Sequence, residues 1–247
     1  MPTSNPLGRT RRTRKERFHL APLGDSAITV EFGDEIDPHI NARVVAFAKT
    51  LADHGWSGIL DIVPTYRSVT LYFDALQWTF DNLADRLRRL PRPSPDRKNS
   101  RGTLHEIPVL YGGEWGPDLD DVATFSGLLP DQVVALHASI HYRVYMLGFS
   151  PGFPYLGLVP EQLAIPRLAT PRTNVPAGSV GIADHQTGIY PSSTPGGWRL
   201  IGQTPISLYR ESSSTPFLLK AGDFVQFKSI DQNKFEQLRH ETQHADH

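Results

Sequence analysis

The sequence has no cysteine among its 247 residues. Disulfide bonds, thiolate nucleophiles and sulfur-ligated metal sites are therefore excluded, and a reducing cytoplasm is the simplest expected location. No apolar run approaches the roughly 20 residues that a transmembrane helix needs, and the N-terminus lacks the apolar core of a secretory signal. We therefore expect a cytoplasmic protein without a membrane partner, stabilised by packing.

Motifs for nucleotide and metal binding are also missing. The sequence has no Gly-x-x-x-x-Gly-Lys-Ser/Thr loop and no obvious carboxylate cluster for Mg²⁺. His137 and His141 stand four residues apart and could share a helix face, but there is no His-Glu-x-x-His pattern and no clear third ligand. Packing or capping is therefore the favoured role of both histidines, and no metal site is predicted.

Positive charge is concentrated at the start of the chain, although the net charge is only −1. The basic residues there are Arg9, Arg11, Arg12, Arg14, Lys15 and Arg17. They have no interleaved aromatic residues and precede the first plausible strand, so a disordered basic tail over residues 1–17 is favoured over a binding arm. No nucleic-acid partner is predicted.

The pattern between residues 18 and 90 predicts a small α+β domain. Ile28, Val30 and Phe32 alternate with other residues, as on one face of a half-buried strand. Asp37 can cap a following helix and Pro38 suits its first turn. The predicted elements are a strand at 27–32, a helix from 38 to 55, strands at 59–63 and 68–73, and a helix at 80–90.

A proline-rich, charged segment over residues 91–102 predicts a linker. Beyond it, residues 103–230 predict a second domain that opens with a strand at 105–111 and two short helices beginning near Pro117 and Pro130. Glycine and proline then recur between short apolar pieces, which is typical of a closed or nearly closed β-barrel. Closing strands are predicted at 206–209, 217–219 and 224–227, and residues 231–247 predict a frayed helix or polar tail.

The most unusual sequence motif is YRVYMLGFSPGFPYLG at residues 142–157, and it is followed by VPAGSVGI at 175–182, QTGIYP at 186–191 and TPGGW at 194–198. With GDSA at 24–27, DIVP at 61–64 and YGG at 111–113, it resembles the family of the 5-oxoprolinase B subunit from Leu23 onward. The same family includes the sporulation-kinase inhibitor KipI, allophanate hydrolase subunit 1 and carboxyltransferase subdomain C and D.

The resemblance implies an α+β N-terminal domain followed by a cyclophilin-like β-barrel. It also implies one component of an ATP-dependent 5-oxoprolinase, which hydrolyses 5-oxo-L-proline to L-glutamate. The implied partners are a tightly bound homologue of the C subunit of 5-oxoprolinase and the A subunit. ATP and Mg²⁺ would act at the level of that complex, with neither assigned to this chain. The alternatives are an inhibitor of a sensor histidine kinase and a component of a urea- or allophanate-processing system.

Candidate substrate-binding or interface residues come from the glycine-, proline- and aromatic-rich segment, which can form a rigid groove. They are Phe149, Pro151, Gly152, Phe153, Tyr155, Arg172, Gly178, Ser179, Gln186, Thr187, Tyr190, Gly197 and Trp198. The aromatic residues suit either a site or the barrel core. Arg172 suits either a carboxylate or phosphate ligand or a structural salt bridge. Polar side chains such as Ser179 could form hydrogen bonds with an amide group of a ligand. No catalytic residue is identified.

Overall fold

The computed structural model describes residues 18–91 and 102–245. The predicted basic tail and most of the predicted linker lie outside these residues. In the part described, no helix combines the length and apolarity that a membrane span requires.

Residues 18–91 form a four-stranded antiparallel sheet in the order β1-β2-β4-β3, with two helices. The elements are β1 (His19–Pro22), β2 (Ala27–Glu31), α1 (Pro38–His54), β3 (Ile59–Pro64), β4 (Ser68–Phe73) and α2 (Phe80–Arg89). Strand β1 was not predicted, because four residues ending in proline carry too short a pattern. It is defined by its pairing with β2, in which Leu20 faces Val30.

Local chemistry accounts for the sheet and its first helix. Ile28 and Val30 are fully buried, as their alternation predicts. The Asp37 side chain accepts hydrogen bonds from the backbone N–H groups of His39 (2.8 Å) and Ile40 (2.9 Å), which satisfies two donors at the start of α1. Gly55 follows the helix with φ of 55°, a left-handed conformation that glycine adopts without strain.

The second part contains a closed barrel of seven strands, which confirms the predicted barrel architecture; the more specific cyclophilin-like description stays a prediction. Its order is β10-β7-β6-β13-β5-β12-β9, and only the β5–β13 pair is parallel among these strands. The elements are β5 (Leu104–Tyr111), α3 (Leu119–Ser126), α4 (Pro130–Ala138), β6 (His141–Leu147), β7 (Pro154–Gly157), β8 (Arg172–Val175), β9 (Ser179–Ala183), β10 (Gln186–Ile189), β11 (Thr194–Gly196), β12 (Arg199–Gln203), β13 (Phe224–Ser229) and α5 (Gln232–Ala245). Strands β8 and β11 form a separate two-stranded sheet, and a short 3₁₀ turn lies at Glu161–Leu163.

Two sequence predictions near the C-terminus are corrected. Residues 206–209 and 217–219 are not strands and share one isolated bridge between Tyr209 and Phe217. Pro205 and Pro216 stand beside these pieces and lack the N–H that a sheet ladder needs. Residues 232–245, for which the sequence predicted a frayed helix or a tail, form the helix α5, and its Phe235 is buried at 1% exposure in ring contact with Trp115.

The two parts of the molecule are joined by a buried asparagine of α1. The Asn41 amide nitrogen donates to the backbone oxygens of Thr65 (3.1 Å) and Tyr145 (3.0 Å). Its oxygen accepts from the Arg143 Nε (2.8 Å). Because Tyr145 and Arg143 belong to β6, these bonds tie α1 to the barrel wall.

A second connection between the two parts runs through Tyr66, in the loop between β3 and β4. Its ring centroid lies 5.5 Å from that of Tyr145 and 5.9 Å from that of Tyr155. Its hydroxyl accepts a hydrogen bond from the Gln186 amide of β10. The loop that carries Tyr66 is therefore held against the barrel wall that carries the candidate residues Tyr155, Gln186 and Thr187.

Candidate functional site

Several of the predicted site residues surround one concave space, which we call the aromatic pocket. Its volume is about 270 Å³. It is lined by Phe149, Phe153, Tyr155, Arg167, Pro171, Tyr190, Pro195, Gly196, Gly197 and Trp198. This is slightly below the range of about 300–1,000 Å³ typical of sites for drug-sized ligands, so the pocket suits a smaller molecule.

Phe153 stands at the centre of the pocket wall. Its ring makes edge-to-face contacts with Tyr155, Tyr190 and Trp198, at centroid distances of 5.0, 5.1 and 5.4 Å. Phe153, Tyr190 and Trp198 are buried, so they belong to the core as well as to the pocket. Phe149 is 65% exposed at the rim. The core interpretation is thus seen for the three buried rings, which form a rigid floor beneath an open mouth, while their role in a binding site stays a prediction.

Glycines permit this close ring arrangement at two positions. A Cβ on Gly196 would overlap the Tyr190 hydroxyl. A Cβ on Gly188 would lie 2.9 Å from the Trp198 ring, which is closer than real Cβ contacts allow. The recurring glycines of the sequence therefore shape the pocket by letting the rings approach the backbone.

The ionisable side chains of the described lining are two tyrosines and one arginine. Burial raises the pKa of both Tyr155 and Tyr190 above the usual phenol value, so both hydroxyls are neutral near pH 7. The Arg167 guanidinium carbon lies 6.0 Å from the Trp198 ring centroid. The pocket therefore offers the Tyr155 phenol and one positive charge against apolar walls, while the buried Tyr190 hydroxyl is bonded to the Trp198 backbone.

Arg172, the predicted binder of an anionic ligand, is engaged in a salt bridge. Its Nη2 donates to the Asp118 Oδ1 at 2.7 Å, and the Arg172 and Asp118 side chains are 29% and 7% exposed. The other Asp118 oxygen accepts from the Leu200 backbone N–H at 2.6 Å. The structural alternative for Arg172 is the one observed. Asp118 also makes no side-chain cap on α3, because both of its oxygens are bound elsewhere.

Four further candidates are not among the described lining residues of the aromatic pocket. Ser179 and Thr187 are buried, and Gln186 contacts Tyr66 of the first domain. Gly178 has φ of 81°, and a Cβ there would overlap the Thr204 backbone oxygen. In the described structure these residues hold strands together and do not line the aromatic pocket.

His137 is fully buried in the barrel. Its Nδ1 lies 2.8 Å from the Tyr111 hydroxyl and its Nε2 lies 3.0 Å from the Thr187 hydroxyl. Helix α4 ends at Ala138 and His141 begins β6, so the two histidines do not share a helix face. The packing role favoured by the sequence describes His137.

The last candidates lie in a larger space between the two parts of the molecule, which we call the interdomain groove. It has a volume of about 630 Å³. It is lined by residues 61–64 of β3, by the turn at 147–152, which includes Pro151 and Gly152, and by residues 215–217 and 219–221. Phe149 lines both the groove and the aromatic pocket, and its φ of 70° is unusual for a residue with a side chain. Phe149 thus separates two neighbouring concave sites.

Four residues of the pocket lining were not among the predicted site residues: Pro171, Pro195, Gly196 and Arg167, the one charged residue of the four. Arg167 sits in an irregular segment between Pro166 and Leu168, outside the glycine-rich motifs. No local pattern distinguishes it from other surface arginines. Its position depends on the long connection between β7 and β8, which turns back over Trp198.

The chain is similar to a known protein family and to several characterised proteins. Residues 18–219 match the family described as carboxyltransferase domain, subdomain C and D. The chain is 41% identical over 237 residues to the 5-oxoprolinase B subunit of Bacillus subtilis, covering 92% of this chain and 98% of that protein. It is 25% identical over 244 residues to urea amidolyase of Saccharomyces cerevisiae, covering 87% of this chain but only 13% of that protein.

A solved structure shares both the fold and much of the sequence. The crystal structure of TTHA0988 in space group P212121 has a TM-score of 0.75 and 39% sequence identity, and the match covers 84% of this chain. This chain spans 40% of the TTHA0988 chain. Together with the match to the Bacillus protein along almost the whole length of both chains, these similarities confirm the resemblance found in the motifs. The chain belongs to the family of carboxyltransferase domain, subdomain C and D, which contains the 5-oxoprolinase B subunit.

Proposed function

We propose that this chain is a non-autonomous component of an ATP-dependent 5-oxoprolinase, which hydrolyses 5-oxo-L-proline to L-glutamate together with the A and C subunits of that enzyme. The observation that carries the proposal is the similarity to the 5-oxoprolinase B subunit along nearly the full length of both chains. The aromatic pocket supports it, because its size and its polar groups suit a small ring that carries an amide and a carboxylate.

The reaction explains why more than this chain is needed. A lactam carbonyl is a poor electrophile, so the γ-phosphoryl group of ATP would be transferred to the amide oxygen with ADP as the leaving group. Water would then add to the activated carbon and the ring C–N bond would break, leaving an acyl phosphate, and a second water would release phosphate and glutamate. This sequence requires a nucleotide site, Mg²⁺ and a general base.

The aromatic pocket supplies another part of this chemistry. Among its described lining residues, Tyr155 can hydrogen-bond a ligand and Arg167 can attract an anion, whereas Tyr190 is buried and hydrogen-bonded to the Trp198 backbone. A carboxylate or imidazole base is not among these lining residues. Near pH 7 the two phenols are neutral. We therefore assign this chain to substrate binding, and the nucleotide, Mg²⁺ and base to sites completed by the A and C subunits.

The urea-processing alternative has one observation in its favour, the weaker similarity to urea amidolyase. Urea is a small amide without a carboxylate. A pocket that contains an arginine and aromatic walls suits 5-oxoproline better, because the arginine can pair with its carboxylate.

The test is reconstitution of ATP-dependent glutamate release from 5-oxo-L-proline, using this chain alone, with the A subunit, with the C subunit, and with both. Release is expected only in the complete mixture. Phe149→Ala removes an exposed ring at the pocket mouth and should lower glutamate release by about tenfold, from the loss of apolar contact with the substrate.

Leu76→Ala is the matched control, because Leu76 is an exposed apolar residue outside both concave sites. It should retain wild-type turnover. Absence of glutamate release from the complete mixture would refute the oxoprolinase proposal and leave urea processing or kinase inhibition as the functions to test.

A further inference from the structure

Arg167 is placed to meet a negatively charged ligand in the aromatic pocket. Its side chain is 58% exposed, and its guanidinium lies above the edge of the pocket formed by Trp198. It is the one cationic residue among the described residues of the pocket lining. An anion that enters the pocket therefore finds its positive charge in this side chain.

The positive charge of Arg167 also acts on the two phenols of the pocket lining. Burial is the largest influence on the pKa of Tyr155 and of Tyr190 and raises both, whereas the positive charge of Arg167 acts in the opposite direction. The guanidinium therefore favours negative charge near these two rings.

The present partner of Arg167 is held loosely. Its Nε lies 3.7 Å from the Asp184 Oδ2, and the two side chains are 58% and 60% exposed. This separation exceeds a direct hydrogen bond, and exposed pairs of this kind contribute little because water and salt screen them. A ligand carboxylate that forms two parallel hydrogen bonds with the guanidinium would bind it better than Asp184 does.

The contrast with Arg172 supports this assignment. Arg172 is bonded at 2.7 Å to Asp118, which is almost fully buried. Releasing it would leave a buried carboxylate without its counter-ion, which is costly. Releasing Arg167 would leave Asp184 in water, where the charge is solvated. Arg167 can therefore exchange its partner and Arg172 cannot.

We propose that Arg167 is the carboxylate-binding residue of the aromatic pocket and that its pairing with Asp184 is exchanged for pairing with the ligand. The pocket then selects small rings that carry one carboxylate over uncharged rings of the same size. This inference deepens the proposed function and rests on it for the choice of ligand, 5-oxo-L-proline.

Asp184 offers an informative second substitution. It lies in the two-residue turn between β9 and β10 with φ of 51°, a conformation that asparagine tolerates better than most residues. Asp184→Asn therefore removes the competing charge while keeping the turn. It should raise the affinity for an anionic ligand, whereas a substitution that merely damaged the pocket would lower it.

The experiment is isothermal titration calorimetry on the chain alone, without ATP or its partner proteins, with 5-oxo-L-proline and with uncharged 2-pyrrolidinone. Wild type should bind 5-oxo-L-proline more tightly. Arg167→Gln should reduce that affinity by about tenfold, to the level of 2-pyrrolidinone, and Asp184→Asn should increase it about twofold to fivefold. Neither variant should change the affinity for 2-pyrrolidinone.

Arg88→Gln is the control, because Arg88 forms a similarly exposed ion pair with Asp85 on α2, far along the chain from the pocket. Unchanged binding in Arg167→Gln, or no binding of 5-oxo-L-proline by wild type, would overturn the inference. The proposed function is judged separately by turnover: a complete mixture that fails to release glutamate, while Arg167 still governs binding, refutes the enzyme assignment and leaves the anion site in place.

Discussion

Acidification should destabilise the barrel through His137, whose ring is fully buried and stacks on Phe227 at a centroid distance of 4.5 Å. The Thr187 hydroxyl donates to the Gly181 backbone oxygen at 3.0 Å, so it accepts from the Nε2–H of His137. Nδ1 then accepts from the Tyr111 hydroxyl. Both ring nitrogens are satisfied in the neutral form, and burial lowers the pKa of His137 to about 3.

The sign and size of the effect follow from this depressed pKa. Above the usual histidine pKa of about 6.5, neither the folded nor the unfolded chain protonates His137. Below it the unfolded chain binds a proton and the folded chain does not, until the pH approaches the folded value of about 3. Stability present at neutral pH is therefore lost on acidification, by about 1.4 kcal/mol per pH unit, or about 2 kcal/mol between pH 7.5 and pH 5.

The assay is urea unfolding at pH 7.5 and at pH 5, with His137→Gln and the control His141→Gln. Glutamine can keep one donor and one acceptor but does not titrate, so its loss of free energy of unfolding on acidification should be about 2 kcal/mol smaller than that of wild type. His141 is exposed at the start of β6, and its variant should follow wild type. Identical pH dependence in wild type and His137→Gln would refute the reasoning.

Two further substitutions separate structural residues from binding residues. Arg172→Ala leaves the buried Asp118 without its partner and should lower the free energy of unfolding by about 3 kcal/mol in urea titrations. The affinity of the folded protein for 5-oxo-L-proline should change less than twofold. A large loss of affinity without a loss of stability would contradict this. Gly196→Ala forces a Cβ onto the Tyr190 hydroxyl and should lower the thermal midpoint at a cost of about 1–3 kcal/mol. Gly197→Ala, where the Cβ would meet Pro171 at an ordinary 3.6 Å, should stay near wild type, and equal losses in both variants would argue against the overlap.

Short-range chemistry made several elements predictable from the sequence. Helix α1 was identifiable from Asp37, Pro38 and Gly55, because capping depends on neighbouring residues only. The alternation of Ile28 and Val30 identified a half-buried strand in the same way. The segments 206–209 and 217–219 were wrongly predicted as strands. A short apolar segment has the same sequence pattern whether or not a neighbouring strand is present to pair with it, and here the two segments share one isolated bridge. The packing of Phe235 on Trp115 could not be predicted from a polar C-terminal stretch.

The sequence by itself determined the family, the barrel architecture and the aromatic candidates of the site. The residues of a motif, the turn residues and the apolar periodicity are all properties of short stretches of sequence. Only the tertiary structure decided which arginine serves the pocket. Arg172 and Arg167 are five residues apart and chemically identical, yet one meets a buried carboxylate and the other an exposed one. Burial of the partner, which depends on contacts between residues far apart in the chain, makes the first salt bridge structural and leaves the second guanidinium available to a ligand.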